Sequence, residues 1–228
     1  MTEHLSLSDK VRMVLTGRQP DAISLKTAIS CELAERIAGV IVPSGRSDLL
    51  GVGLCAVPTT VLIGLPFGAV PLAIKLLELQ TWPHEEIRSL GIAVDPIALA
   101  ESGGEGKICH EVLSAQSQLV NPGAAIGLVT ELAQVDSAGL EILCSIAQRC
   151  HLDFLMSSGG VVRAPSLSHD DVREIRDILP GHTELWVVGA IPDRAFCIDL
   201  LAHGADQVGM VPEVDGARAE SWQEVLFA

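Results

Sequence analysis

Short runs of nearly continuous apolar residues alternate along this chain with longer amphipathic stretches, and this alternation limits the possible folds more than any other feature. Continuous apolarity is typical of parallel strands that are covered on both faces. Seven such runs occur, at residues 38–42, 59–65, 90–94, 125–130, 152–156, 184–188 and 207–211. A weaker run at residues 22–25 predicts an eighth strand ahead of them.

The stretches between these runs carry helix signals. Helices are predicted over 70–80 and 106–119, after the N-cap residue Asp136, after the capping box of residues 168–171, and from a first turn at Pro192. Eight strands, each followed by a helix or a loop, predict a single-domain (β/α)8 TIM barrel over residues 1–228, with residues 1–18 as an N-terminal helical extension. A doubly wound open sheet is the structural alternative, but no G-x-G-x-x-G follows the first predicted strand.

Composition excludes several classes of function. The net charge of −14 would repel both the phosphate backbone of a nucleic acid and an anionic membrane surface. No stretch reaches the roughly 20 uninterrupted apolar residues of a membrane helix, and the N-terminus lacks a signal-peptide pattern. The six cysteines form no C-x-x-C pair, and no metal-ligand cluster or nucleotide fingerprint is present. We therefore expect a cytoplasmic protein without metal or cofactor that acts on a small molecule.

In such a barrel the chemistry lies at the carboxyl ends of the strands. Few polar groups follow the predicted strands, and the candidates for catalysis are Lys26, Asp95, Glu131, Ser157 and Ser158. Asp95 and Glu131 are interpreted either as a general acid/base pair in an apolar mouth or as solvated loop carboxylates. Residues 157–160 form either a backbone nest for an anion or a plain turn. The candidates for substrate binding are Met156, Trp186, Phe67, Arg46, Gly159, Gly160 and Gly189.

Several motifs resemble those of the 2-deoxyribose-5-phosphate aldolases, a family of single-domain (β/α)8 class I aldolases. Residues 60–68, Thr-Val-Leu-Ile-Gly-Leu-Pro-Phe-Gly, are the most specific match, to the family's T-V-V-G-F-P-x-G. Further similarities are carried by residues 21–26 (D-H-T-L-L-K), 39–43 (G-x-C-I-P), Lys75 with Glu78 (K-x-x-E), 129–131 (I-x-E), 152–155 (A-D-F-x), 189–191 (G-G-I) and 203–209 (x-G-A-x-x-I-G). The resemblance implies the barrel fold and, as is common in that family, a homodimer.

The resemblance also implies that the family's catalytic groups are missing from this chain. Met156 stands where the family forms its Schiff base on a lysine, and Trp186 stands at the family's second lysine. Ile41 and Gly91 replace a cysteine and a proton-relaying aspartate. A Schiff base needs a primary amine with a lowered pKa, which neither Met nor Trp supplies. We therefore predict that the protein does not cleave deoxyribose 5-phosphate by the family mechanism.

Two functions fit these residues. The first is a repurposed enzyme of specialised metabolism that works by general acid/base chemistry, as a lyase, cyclase, dehydratase or isomerase, on a small and relatively apolar carbonyl-type substrate. In a variant of this hypothesis the amine chemistry moves to Lys26, because Lys75 and Lys107 are interpreted as helix-surface residues. The alternative is a non-catalytic aldolase-fold protein, a pseudoenzyme that binds a ligand or a partner protein.

Overall fold

Eight parallel strands close into one barrel in the computed structural model, which describes residues 7, 9–15, 37–46, 57–83, 87–121, 123–161 and 167–211. Each strand pairs with the next one along the chain, and the last pairs with the first. The strands are β1 (Val11–Val14), β2 (Gly39–Pro43), β3 (Thr59–Ile63), β4 (Ile87–Ala93), β5 (Ala125–Val129), β6 (Phe154–Met156), β7 (Glu184–Gly189) and β8 (Gln207–Met210). The predicted single-domain (β/α)8 barrel is confirmed.

Helices connect the strands on the outside of this barrel. In the described ranges they are α1 (Leu72–Gln80), α2 (Pro96–Ala100), α3 (Gly104–Gln118), α4 (Ser137–Cys150), α5 (His169–Ile178) and α6 (Arg194–Ala202), with a 3-10 turn at Leu132–Gln134. None of them is long and apolar enough to cross a membrane. Because helices cover the outer face of the strands and side chains fill the inner one, every residue of β3 is buried. This double burial explains the unbroken apolar runs in the sequence.

The first strand is not where the sequence places it. β1 is Val11–Val14, which pairs with both β2 and β8, so the prediction of a helical extension over residues 1–18 is wrong for these residues. Leu7, Val11, Val14 and Leu15 have the spacing of a helical stripe, but all four residues of β1 are buried. A strand covered on both faces has no alternation to distinguish it from a buried helix. The predicted strand at 22–25 lies outside the described residues.

The predicted helix starts are confirmed at two helices and displaced at a third. Asp136 caps α4 by accepting a hydrogen bond from the Gly139 amide at 2.8 Å. Ser168 and Asp171 form the predicted capping box of α5. Pro192, however, precedes α6 rather than forming its first turn, because the carboxylate of Asp193 accepts from the Phe196 amide and caps the helix there. Asp is among the best N-cap residues, and its cap sets the boundary.

The interior of the barrel is filled by apolar side chains. They are Val14, Ile41, Leu62, Val129, Phe154, Met156, Trp186 and Val188. Room for them comes from glycine at a strand position: a Cβ on Gly91 would lie 2.5 Å from Cδ2 of Leu62. Phe154 and Trp186 stack with their ring centroids 4.0 Å apart. The barrel axis is therefore a packed core.

Candidate functional site

The candidate site is a cavity of about 310 Å³ at the carboxyl ends of β3, β4, β5 and β6. It is lined by Leu65, Pro66, Phe67, Ala69, Ala93, Val94, Asp95, Pro96, Ile97, Val129, Thr130, Glu131, Gln134 and Gly159. Most of these residues are apolar, and none of the described lining residues is Lys, Arg or His. A concave, largely apolar cavity with a few convergent polar groups is the usual form of a small-molecule site.

Glu131 is the most unusual group in this cavity. Its side chain follows β5 and the residue is only 6% exposed. Oε1 accepts hydrogen bonds from the Ser158 hydroxyl at 2.8 Å and from the Gly159 amide at 3.3 Å. Oε2 is buried and has no hydrogen-bond partner. Desolvation by burial raises the pKa of Glu131, and the two hydrogen bonds from Ser158 and Gly159 oppose this rise without cancelling it.

Backbone hydrogen bonds fix the position of Glu131. The Thr130 amide donates to the Met156 carbonyl at 3.2 Å, and the Leu132 amide donates to the Ser157 carbonyl at 3.0 Å. These bonds continue the β5–β6 ladder past the end of the strands on both sides of Glu131. The carboxyl group is therefore held by the barrel itself, which is the rigidity that a catalytic or binding group requires.

Asp95 lies in the wall of the same cavity. It is the N-cap of α2, and its Oδ1 accepts a hydrogen bond from the Ile97 amide at 2.9 Å. The structure thus places in one cavity lining the two carboxylates that the sequence interprets either as an acid/base pair or as solvated loop carboxylates. It also gives Asp95 a capping role, which uses one of its two oxygens.

The turn at residues 157–160 makes hydrogen bonds to two different parts of the barrel, β7 and Glu131. The Ser157 hydroxyl accepts from the Val188 amide at 2.9 Å, so this predicted catalytic serine ties β6 to β7. The Ser158 hydroxyl donates to Glu131 and accepts from the Gly160 amide at 3.0 Å. The Gly159 amide, which was a candidate for an anion nest, points at the protein's own carboxylate. The turn supports Glu131.

Phe67 reaches the cavity from the loop after β3, where Leu65–Pro66 is a cis peptide, and it is 54% exposed. Gly68 lets this loop lie directly against the backbone of residues 94–95, since a Cβ there would lie 2.5 Å from the Asp95 amide nitrogen. Its φ of 73° also favours glycine. The exposed ring of Phe67 therefore forms an apolar part of the cavity rim.

The other predicted binding residues do not line the cavity. Met156 is fully buried among the side chains of the barrel interior. The indole of Trp186 points toward the amino ends of the strands, where the guanidinium of Arg12 lies 4.1 Å from its ring centroid and Glu184 accepts from Nε1 at 2.7 Å. Arg46, Gly160 and Gly189 are absent from the lining as well. Lys26 lies outside the described residues.

A buried ion pair beside the site is missing from the predicted set. Lys75 is 1% exposed, so its interpretation as a helix-surface residue is wrong. Its Nζ donates to Glu111 at 2.6 Å and to the Ala93 carbonyl at 2.8 Å. Three residues after Lys75 in the same helix, the carboxylate of Glu78 accepts a hydrogen bond from the Gly64 amide at 2.7 Å. The sequence contains a signal that could have predicted this burial, because Lys75 and Glu78 are the only charged residues of an otherwise largely apolar helix.

The described lining of the cavity contributes two carboxyl groups, those of Asp95 and Glu131. Among the residues with a described position, no three His, Cys, Asp or Glu side chains come together as a metal site would require. What the cavity offers instead is one buried carboxyl oxygen without a partner and a second, half-buried carboxylate. Such a pair can give and take protons.

Curated deoxyribose-phosphate aldolases are similar to this chain in sequence. The protein of Nocardia farcinica is 22% identical over 147 residues, which are 64% of this chain and 65% of that protein. The protein of Aeropyrum pernix is 30% identical over 118 residues, which are 52% of this chain and 46% of that protein. That of Rhodospirillum rubrum is 24% identical over 173 residues, 73% of this chain and 69% of that protein. The chain thus spans between about half and two thirds of the length of these relatives. No protein-family model matches it.

Solved structures show the same fold. "QR15, an Aldolase" superposes with a TM-score of 0.79 at 18% identity and covers 90% of this chain and 91% of that one. The deoxyribose phosphate aldolase of Aeropyrum pernix has a TM-score of 0.78 at 20% identity, over 96% of this chain and 89% of that one. An N-acetylmannosamine-6-phosphate 2-epimerase from Clostridium perfringens is more distant, at 0.61 and 11% identity, over 90% of this chain and 87% of that one. By its motifs, its curated relatives and its fold, the chain is a divergent relative of the deoxyribose-phosphate aldolases.

Proposed function

We propose that this protein is an aldolase-fold enzyme that uses Glu131 for general acid/base chemistry on a small, relatively apolar carbonyl-type substrate. One observation carries the proposal: Glu131 is buried at a strand end, with Oε1 held by Ser158 and Gly159 and Oε2 left without a partner in a cavity wall. A buried oxygen without a hydrogen-bond partner lowers the stability of the folded protein. A protein that keeps such an oxygen at a cavity has a reason to do so when a bound ligand supplies the missing hydrogen bond.

The two hydrogen bonds decide where the proton of Glu131 resides. Because Oε1 already accepts from Ser158 and Gly159, the protonated acid carries its hydrogen on Oε2. It then donates to a carbonyl or hydroxyl oxygen of the substrate, and after that transfer Oε2 is the base that takes a proton back. The raised pKa of Glu131 brings this exchange closer to neutral pH, where general acid/base catalysis is most efficient. Lyase, cyclase, dehydratase and isomerase reactions all use such a step.

The charges around the cavity restrict the substrate. The described lining holds two carboxylates, Asp95 and Glu131, and no cation. A phosphate dianion would meet repulsion of about 2–8 kcal/mol from a carboxylate at 4 Å, between water-like and surface-like dielectric conditions. The substrate is therefore uncharged and unphosphorylated, and the apolar walls with the Phe67 rim favour a hydrocarbon or aromatic portion beside its carbonyl.

The test has two stages, because the substrate is unidentified. Native mass spectrometry of the purified protein would first find any co-purified ligand, and a panel of neutral aldehydes, ketones and hydroxyketones would then be screened for turnover. Glu131→Gln should lower kcat by about 10²–10⁴-fold, the usual contribution of a general acid or base. Glu174→Gln, on the outer helix α5, is the matched control and should be unaffected. Full turnover by Glu131→Gln would contradict the proposal.

A pseudoenzyme is the second candidate, and one observation favours it. The family's axial catalytic region is filled here by the packed pair of Met156 and Trp186 and their neighbours. The cavity would then bind a ligand without converting it. Isothermal titration calorimetry separates the two functions: a carbonyl compound bound tightly, yet chemically unchanged after prolonged incubation with wild-type protein, supports the pseudoenzyme.

Residence in the cytoplasm and a role in specialised metabolism stay predictions.

A further inference from the structure

The wall of the candidate cavity is divided into an apolar half and a polar half. The apolar half comes from the ends of β3 and β4 and the segments that follow them, where Asp95 is the only polar side chain among the described lining residues. The polar half comes from β5, β6 and the segments after them, and it holds Thr130, Glu131 and Gln134. Because these four strands are consecutive neighbours, the two halves lie on different sides of the cavity.

The apolar half ends in two large side chains that are exposed to solvent. Ile97 is 71% exposed and Phe67 is 54% exposed, and both line the cavity. The smaller lining residues Pro66 and Ala69 are exposed beside them. Single exposed apolar side chains are common on protein surfaces, but a group of them at the edge of one cavity is typical of a ligand-binding groove. We call Phe67 and Ile97 the apolar rim.

The backbone holds both residues of the apolar rim in place. Ile97 lies in the first turn of α2, which the side chain of Asp95 caps at 2.9 Å and which Pro96 begins. The loop that carries Phe67 is closed by a hydrogen bond of 2.8 Å from the Gly68 amide to the Gly64 carbonyl. A binding surface that is already formed loses little conformational entropy when a ligand arrives.

We propose that Phe67 and Ile97 determine the substrate specificity of this site by binding an apolar tail of the substrate where it leaves the cavity. This inference rests on the proposed function, in which the carbonyl group meets Oε2 of Glu131 in the polar half. With the carbonyl there, the rest of the molecule extends toward the apolar half. A tail that is too long for the cavity of about 310 Å³ then lies against the apolar rim. The substrate class is therefore carbonyl compounds with an alkyl or arylalkyl tail.

A series of straight-chain methyl ketones tests this class by binding alone. The probes are 2-butanone, 2-hexanone, 2-octanone and 2-decanone, and isothermal titration calorimetry with the full chain gives the Kd of each. Each methylene that is buried against the wall or the apolar rim should lower the Kd by about three- to four-fold, the usual effect of moving this group out of water. The gain should stop when the tail extends past the rim.

Substitutions at the apolar rim locate the effect. The double variant Phe67→Ser/Ile97→Ser should bind 2-butanone as the wild type does and lose most of the gain for 2-octanone and 2-decanone. Val120→Ser is the matched control, because Val120 is 73% exposed and is absent from the cavity lining. It should keep the full gain. Circular dichroism and Tm establish that each variant is folded, and the two single variants replace the double variant if it unfolds.

The outcome is independent of turnover, so it can be distinguished from a failure of the proposed function. Glu131→Gln should keep the dependence of Kd on chain length, and full turnover by that variant would count against the role of Glu131 alone. A wild type that binds none of the ketones, or binds all four equally, would overturn the proposal. A gain that persists in Phe67→Ser/Ile97→Ser would also overturn it. Self-association that disappears in the double variant, together with equal binding of the four ketones, would mean that the apolar rim contacts protein instead.

Discussion

At the residue scale, the properties of Glu131 make the site testable without a known substrate. Burial raises its pKa, so between the unfolded value of about 4.3 and the higher folded value the native state binds more protons than the unfolded state. The wild type therefore loses stability as pH rises through this window. Glu131→Gln resembles the protonated acid and lacks the effect.

We predict that Glu131→Gln and wild type have similar Tm values near pH 4 and that the variant becomes the more stable one as pH rises to 8. Thermal unfolding at several pH values measures this difference. Glu174→Gln, on α5, should show no such trend and controls for the loss of one negative charge. A variant that is less stable than wild type at pH 8 would mean that the ionised carboxylate stabilises the fold.

The neighbouring serines provide a second prediction at this scale, because their hydroxyls do different work. Ser158→Ala removes a hydrogen bond to Oε1 of Glu131 and should raise the pKa of Glu131 further. Ser157→Ala leaves the Val188 amide without its partner and should cost about 1–3 kcal/mol of stability while leaving that pKa nearly unchanged. NMR titration of ¹³C-labelled glutamate carboxyls and urea unfolding separate the two effects. Equal shifts in both variants would refute the assignment.

At the scale of elements, the ion pair between α1 and α3 shows why sequence pattern misplaces some residues. Lys75 looks like a surface lysine because lysines are rarely buried, yet its amine completes a strand end in the barrel wall. The prediction for β1 is wrong for a different reason. Its buried residues repeat at a helical spacing, so the pattern predicts a helix where the chain forms a strand. The caps at Asp136 and Ser168, by contrast, depend on neighbours within three residues and were predictable.

The ion pair leads to a prediction about α1. Lys75→Met leaves the carboxylate of Glu111 buried without a counter-charge, and we expect a loss of about 3–5 kcal/mol in the free energy of unfolding. The double variant Lys75→Met/Glu111→Leu removes both charges and should recover most of that loss. The unpaired Ala93 carbonyl limits the recovery. Urea unfolding of the single and double variants measures the difference, and equal losses in both would show that the ion pair itself does not matter.

The start of α6 gives a further prediction for an element. Asp193→Ala removes the hydrogen bond to the Phe196 amide and should cost about 1 kcal/mol. Pro192→Ala should cost little more than the entropy gained by the unfolded chain, about 0.4–1 kcal/mol, because Pro192 lies outside the helix. Hydrogen exchange at the first turn of α6 should rise in the first variant only. Fast exchange there in Pro192→Ala would indicate that Pro192 belongs to the first turn of α6.

At the scale of the whole molecule, the order of the motifs and the apolar runs were sufficient to predict the barrel. Both follow the repeated strand–helix units from which the barrel is built. The site was predictable only in part. Asp95 and Glu131 follow their strands and meet in one cavity, as strand-end residues of a barrel should. Met156 and Trp186 also belong to strands, but the direction in which a side chain packs inside the barrel is a tertiary property. Both join the core instead of the cavity wall.

This packed core yields the last prediction. Met156, at the position where the resemblance expects the family's Schiff-base lysine, is buried among apolar side chains, and the one lysine placed inward among the described residues is held in an ion pair. Incubation with deoxyribose 5-phosphate or acetaldehyde and sodium borohydride should therefore add no mass to the described part of the chain. A tryptic map must include Lys26, because an adduct at that residue, abolished by Lys26→Arg and accompanied by turnover, would establish relocated amine chemistry and displace Glu131 as the principal catalyst. An unmodified protein that still turns over a neutral carbonyl compound, and loses that activity in Glu131→Gln, would place the chemistry on the carboxyl group that the barrel holds at its rim.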